Sequence, residues 1–196
     1  MTQNRIEQTP LFTTFYEGAK FSPCRTWRYD LWRKWGSDDD YCSWILLNPS
    51  TANESENDPT IRRCITFSKA WGYSGLHILN VFGFRATDPS DMKKANEPIG
   101  TDNNKTILKI AKGASRVVCG WGDHGQYKGR AEDVVRMLSK HEIRLSYLDL
   151  NKSGEPRHPL YIKGDTHPKT LVEHSGIDQI DMEKYIEQQT KSDRRK

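Results

Sequence analysis

Four short apolar runs, separated by segments of helical period, constrain this chain more than any other feature. They are Ser43-Trp44-Ile45-Leu46-Leu47, Leu76 to Phe82, Arg116 to Gly122 and Ile143 to Leu148. A run with apolar residues at successive positions, not alternate ones, fits a strand covered on both faces. Between them, Thr60 to Trp71, Gly100 to Gly113 and Gly129 to His141 place apolar residues three and four apart, as amphipathic helices do. Repeated strand–helix–strand units predict a parallel sheet sandwiched by helices, joined by right-handed crossovers. The expected fold class is therefore a three-layer α/β/α domain with a central four-stranded parallel sheet.

The flanks read differently. Phe12 to Tyr16 and Thr26 to Trp35 alternate aromatic and polar residues with period two, which predicts half-buried antiparallel strands. Gly36 and Asp38-Asp39-Asp40 mark a turn, and Gly176 to Lys191 reads as a closing helix. A single domain over 1–196 is expected. Residues 1–40 form strands packed on the core, 41–175 form the α/β core, and 176–196 form a helix and charged tail. At 196 residues the chain can bury a core without disulfides or metal.

Composition narrows the function classes. No apolar run approaches the length of a membrane span, and Met1 to Pro10 is polar, unlike a secretion signal. A cytoplasmic protein with no membrane partner is expected. Cys24, Cys42, Cys64 and Cys119 are widely spaced without a Cys-x-x-Cys pair, so reduced, mostly buried thiols are expected over a metal site. The net charge of +4 permits an anionic partner without requiring one. There is no Walker-type phosphate loop. Gly120-x-Gly122-x-x-Gly125 has the spacing of a dinucleotide-binding turn, but Asp123-His124 is unusual inside one.

In open parallel sheets, ligands bind outside the carboxyl ends of the strands. Four segments fall there: Asn48-Pro49-Ser50-Thr51, Asn80 to Arg85, Gly120-Trp121-Gly122 and Arg157-His158-Pro159-Leu160-Tyr161. An asparagine before a proline commonly forms an Asx turn that ends a strand. The same amide can also hold a water or a carbonyl in fixed orientation. Asn80 repeats the arrangement one strand on, where an amide can read a base edge. His158 can shape its loop or stabilise a developing anion. Asp58 and Asp88 precede prolines, which predicts helix caps, with a catalytic carboxylate as the lesser reading. Phe82, Phe84, Trp121 and Tyr161 are core candidates, any of which can stack on a flat base at a strand end.

Taken in order, these segments resemble the uracil-DNA glycosylase superfamily and a bacterial and phage family termed domain of unknown function 1643. The resemblance spans Trp44 to Ile162. Leu47-Asn48-Pro49-Ser50 resembles the water-activating motif, and His77-Ile78-Leu79-Asn80 the strand whose last residue reads the flipped pyrimidine. Val117 to Gly122 resembles a structural strand ending in Trp-Gly. Arg157-His158-Pro159-Leu160 resembles the His-Pro motif that stabilises the departing base and carries the wedge loop.

The resemblance implies a monofunctional hydrolase that flips a base, cleaves its N-glycosidic bond and leaves an abasic site in double-stranded DNA. Asn48 and His158 would be catalytic, with Asp58 as assistant base. Ser50, Thr51, Asn80 and Phe82 would contact the base. Arg62, Arg63, Arg85, Arg157 and Tyr161 would contact DNA, with salt-dependent binding. No metal or cofactor is called for, and a monomer is expected. Two departures refine this. Asn48 replaces an aspartate and is a poorer general base. Ser50 stands where a tyrosine would crowd C5, so a C5-modified pyrimidine of phage DNA, such as glucosylated hydroxymethylcytosine, is the expected substrate. The segment Asn53 to Asp58 would then line the enlarged pocket. A non-catalytic binder of modified DNA and an enzyme on free modified nucleotides are the alternatives.

Overall fold

The computed structural model describes residues 16–50 and 54–172. Thr51, the expected strand residues before Tyr16, and the expected closing helix with its tail lie outside them. Seven strands form one sheet: β1 (Tyr16–Phe21), β2 (Arg28–Lys34), β3 (Tyr41–Leu46), β4 (Gly75–Asn80), β5 (Arg116–Cys119), β6 (Leu145–Tyr147) and β7 (Lys169–Val172). Their spatial order is β1-β2-β4-β3-β5-β6-β7. The four central strands, β4, β3, β5 and β6, pair in parallel, as the apolar runs predict. On one side, β1 and β2 add as antiparallel strands. On the other, β7 adds antiparallel to β6 and was not foreseen from Lys-Thr-Leu-Val. The described part of the first strand runs from Tyr16, the last residue of the expected one, to Phe21.

Among the described residues four α-helices accompany the sheet: α1 (Pro59–Ala70), α2 (Pro89–Lys94), α3 (Asn103–Gly113) and α4 (Arg130–Ser139). Both Asp-Pro steps begin helices. The Asp58 carboxylate accepts from Ile61 N at 2.9 Å, and that of Asp88 accepts from Ser90 N at 2.7 Å. Each proline sits where the missing N–H costs nothing. Six residues with one buried side chain, Met92, left α2 without a readable period.

Alternation along β3 divides the core into two layers. Cys42, Trp44 and Leu46 face α1, joining Ile61, Cys64 and Phe67. Ile45 and Leu47 face the other way, into a layer with Ile107, Ala111, Val134, Val135 and Leu138 of α3 and α4. Three thiols, Cys42, Cys64 and Cys119, are buried in these layers, while Cys24 is exposed.

The chain runs from β3 outward to β4, then back past β3 to β5 and on to β6. The sheet order therefore reverses at β3, and a crevice forms at the carboxyl ends on either side of it. Parallel pairing of Leu46 with Asn80 brings two strand ends level. The ladder then continues past them, with Val81 N donating to Leu46 O and Phe82 N to Leu47 O, both at 2.9 Å.

Phe67 ties α1 to the sheet. Its ring lies 5.9 Å from Trp44 and 5.4 Å from Trp71, under the Arg63 guanidinium at 4.6 Å. Truncating a buried aromatic removes both transfer energy and packing. Phe67→Ala is expected to lower unfolding stability by about 3–5 kcal/mol. Denaturant titration checks this, as a lower midpoint with the slope retained.

Candidate functional site

A cleft of about 630 Å³ opens at the carboxyl ends of the central strands. Asn48 and Ser50 reach it from the end of β3, Asn80 from the end of β4, and Trp121 and Gly122 from the end of β5. Asp58 enters from the start of α1, while Arg157, His158 and Tyr161 come from the late loop. Segments separated by more than a hundred residues thus meet in one cavity.

The late loop reaches the strand ends because Gly120 has no side chain. A Cβ there would stand 3.1 Å from Pro159 Cδ, 3.3 Å from Leu46 Cδ2 and 3.5 Å from Arg157 O. Gly122 N donates to Pro156 O at 2.9 Å and holds the same approach. Gly122 has φ +68°, a left-handed conformation that glycine adopts without steric cost. The residues after it form a 3₁₀ turn over Asp123–Gly129 with two non-helical positions, so no helix N-terminus follows the Gly-x-Gly directly. The Trp121 indole N–H donates to the buried Glu155 carboxylate, which holds the ring against the cleft.

The orientation of Asn48 follows from its neighbours. Its Nδ2 lies 2.7 Å from Ala86 O and 3.2 Å from Pro49 O. Carbonyls only accept, so the nitrogen end must face them, and both its protons are committed. Asn48 is left to serve the cleft as an acceptor through Oδ1.

Asn80 is the complement. Its side chain is 1% exposed and lines the cleft, yet its Nδ2 has no hydrogen-bond partner among the described residues. Burying an amide donor without an acceptor costs about 1–3 kcal/mol. The backbone of this strand end is held from the opposite layer. Asn103 Nδ2 donates to Asn80 O at 3.0 Å and Val81 O at 3.1 Å, and Arg130 Nε to Val81 O at 2.7 Å.

His158 precedes a 3₁₀ turn, Pro159–Tyr161, and its Nδ1 accepts from Leu160 N at 3.4 Å. An accepting Nδ1 carries no proton, so the neutral ring bears its proton on Nε2 as a donor. Burial pushes the imidazole below its ordinary range, and the Asp58 carboxylate partly opposes that shift. Asp58 lines the cleft with the carboxylate that also caps α1.

Several expected contacts are not brought into the cleft. Phe82 is fully buried in the layer beneath α3 and α4, with its ring 6.0 Å from Tyr127. Past Asn80 the strand alternation breaks, so Val81 and Phe82 both enter that layer. Arg62 donates to Asn57 O, and Arg63 donates to Ile162 O while stacking on Phe67. Arg85 donates to Arg25 O at 3.3 Å and lies over the Phe21 ring at 5.0 Å. Only Arg157 of the four arginines lines the cleft, and it stands 3.5 Å from Asp149. The acidic segment also turns away. Glu54 pairs with Arg25 at 2.9 Å and Asn57 accepts from Arg33 Nε at 2.9 Å, which leaves Asp58 as its one described side chain in the cavity. Asn53 lies outside the described residues.

Arg28 lines the cleft and was missed. The alternation of Thr26 to Trp35 put it among the polar, outward positions, yet it is 2% exposed. Burial lowers its guanidinium to about 10, still cationic at neutral pH, with Asp58 the largest opposing influence. A charged residue at the start of a strand beside the binding edge was the available signal. Among the described residues, no three His, Cys, Asp or Glu side chains converge as metal ligands, and no helix is long and apolar enough to cross a membrane.

For His158, the folded state disfavours the proton. Its contribution to stability is complete above the ordinary histidine value of about 6.5 and declines as pH falls below it. An NMR titration is expected to give His158 a value below that of a free histidine, with the proton on Nε2. Asp58→Asn keeps a capping side chain and removes the opposing charge, so it should lower the His158 value further. A rise in that variant contradicts the assignment.

A family model described as "Protein of unknown function (DUF1643)" matches residues 28–160. No curated protein and no solved structure matches the chain.

Proposed function

The chain belongs to the DUF1643 family, and on that premise we propose that its cleft flips a C5-modified pyrimidine out of DNA and hydrolyses its N-glycosidic bond. The observation that carries this reading is the Asn80 amide, a buried donor with no partner among the described residues, in a cavity large enough for a base. A base carbonyl or ring nitrogen satisfies it, and the stability forgone in the free protein is recovered on binding.

The other groups suit the same reaction. Asn48, an acceptor, orients a water without ionising it. Neutral His158 donates from Nε2 to the base as negative charge develops there. Asp58 takes the water's proton once the oxygen begins to bond to C1′. Trp121 offers an aromatic wall. Ser50, small and half-buried at the cleft, leaves space for a C5 substituent such as hydroxymethyl or its glucosylated form. Leu160 and Tyr161, exposed beside His158, suit the gap a flipped nucleotide leaves in the duplex. DNA carrying phage-type modified bases is the proposed partner.

One observation favours a second reading, an enzyme on free modified nucleotides. Arg62, Arg63 and Arg85 are bound to backbone carbonyls instead of lining the cleft. A small substrate needs fewer phosphate contacts than a duplex does.

Incubating the protein with duplexes carrying unmodified, uracil, hydroxymethylated or glucosylated bases, and with the matching nucleotides, separates the readings. Base release is expected from a C5-modified duplex and identified by mass spectrometry. Asn48→Ala and His158→Ala should each slow it by about 10²–10³-fold while duplex binding is retained. Release from nucleotides alone supports the second reading, and binding without release identifies a non-catalytic binder.

A further inference from the structure

Arg28 is the one buried cation at the cleft whose position the sequence did not suggest. It enters from β2, the strand beside β4, and its backbone N donates to Gly83 O at 2.9 Å, three residues past Asn80. A guanidinium offers donors and no acceptor, and it cannot turn to present one as an amide can. Whatever group of a ligand meets it must therefore be an acceptor or an anion. The same cavity holds the Asp58 carboxylate, close enough that the two charges influence each other.

We propose that Arg28 is a further catalytic residue, a fixed positive charge that stabilises the departing base as an anion. This rests on the glycosylase reading and deepens it. When the C1′–N bond breaks, its electron pair leaves on the base and the sugar becomes cationic. Water bonds to C1′, and the proton it loses passes to Asp58 or to bulk water. The base anion, held by Arg28, Asn80 and His158, then takes a proton from solvent. A cleft in which a buried cation, Arg28, stands with the Asp58 carboxylate matches a transition state that separates charge in this way. Asn48 cannot accept the water's proton as a carboxylate can, so the reaction leans on leaving-group stabilisation. Arg28 supplies it in a water-poor setting where a fixed charge acts strongly.

The test uses single-turnover release of 5-fluorouracil, uracil and thymine, in order of decreasing leaving-group acidity, from otherwise identical duplexes. With the wild type, the rate should depend weakly on the base. Arg28→Gln should slow uracil and thymine release by about 10²–10³-fold and 5-fluorouracil release by less than tenfold, with duplex affinity unchanged. Arg28→Lys, which keeps the charge, should fall between. Equal loss on all three bases, or no loss, overturns the proposal. A second measurement needs no variant. At one fixed pH where free 5-fluorouracil is largely anionic and uracil is neutral, calorimetry on the wild type should show the anion bound at least tenfold more tightly. Equal or weaker binding of the anion overturns the proposal even if Arg28→Gln does not fold. Tighter anion binding by a protein that releases no base keeps the anion site and overturns the glycosylase reading alone.

Discussion

The parallel pairing of β3 with β4, in the register that sets Leu46 beside Asn80, is the constraint on which the rest depends. A shift of one residue would turn Asn80 toward α3 and α4 and bury its amide in an apolar layer. The register is held from both sides of the sheet. On one face, Leu46 and Ile78 pack with Ile61 and Phe67. On the other, Asn103 and Arg130 bind the carbonyls of Asn80 and Val81. Arg130 is itself buried, and desolvation draws its guanidinium down to about 10. A buried charge bonded to the Val81 carbonyl indicates how closely the end of β4 is fixed.

That fixation explains why the polar groups at the cleft can remain unsatisfied. A flexible loop carrying an asparagine would turn its amide to water or to a neighbouring carbonyl. Asn48 has done so with its nitrogen, and the outcome is one defined acceptor. Asn80 sits at a strand end locked by backbone bonds and cannot follow. The two amides, alike in sequence, are thereby given opposite roles by their surroundings: one presents oxygen and the other nitrogen. A ligand with both a donor and an acceptor edge complements the pair, and a water bonded to Asn48 complements half of it.

The parts of the fold that could be read from the residues are those governed by periodicity and local chemistry. Runs such as Trp44 to Leu47 have no polar face and must be covered twice, which requires the α/β/α layering. Asp58-Pro59 starts a helix because the cap and the proline act within three residues. The strand β7 and the helix α2 escaped because four and six residues carry too little pattern. The arginines escaped for a different reason. Whether Arg63 meets a phosphate or Ile162 O depends on a loop ninety-nine residues away, and nothing local records it. Phe82 is an aromatic near a strand end, where a base could stack on it, but the alternation breaks after Asn80 and carries both Val81 and Phe82 into the layer of α3 and α4.

Arg28 shows the limit of alternation most clearly. Period two tells which residues share a face of a strand, but not whether that face meets solvent, core or a cavity. At β2 the polar positions divide: Arg33 is fully buried and bonded to Asn57, while Arg28 borders the cleft. Burial of a guanidinium is costly unless something offsets it. At Arg28 the carboxylate of Asp58 is the largest favourable influence, and that carboxylate already caps α1 and moderates His158. One side chain thus couples the start of the helix, the imidazole and the buried cation. Moving the start of α1 would disturb all three at once. The short described stretch from Glu54 to Asp58, tied down through Arg25 and Arg33, is therefore part of the site's frame even though most of it faces away from the cavity.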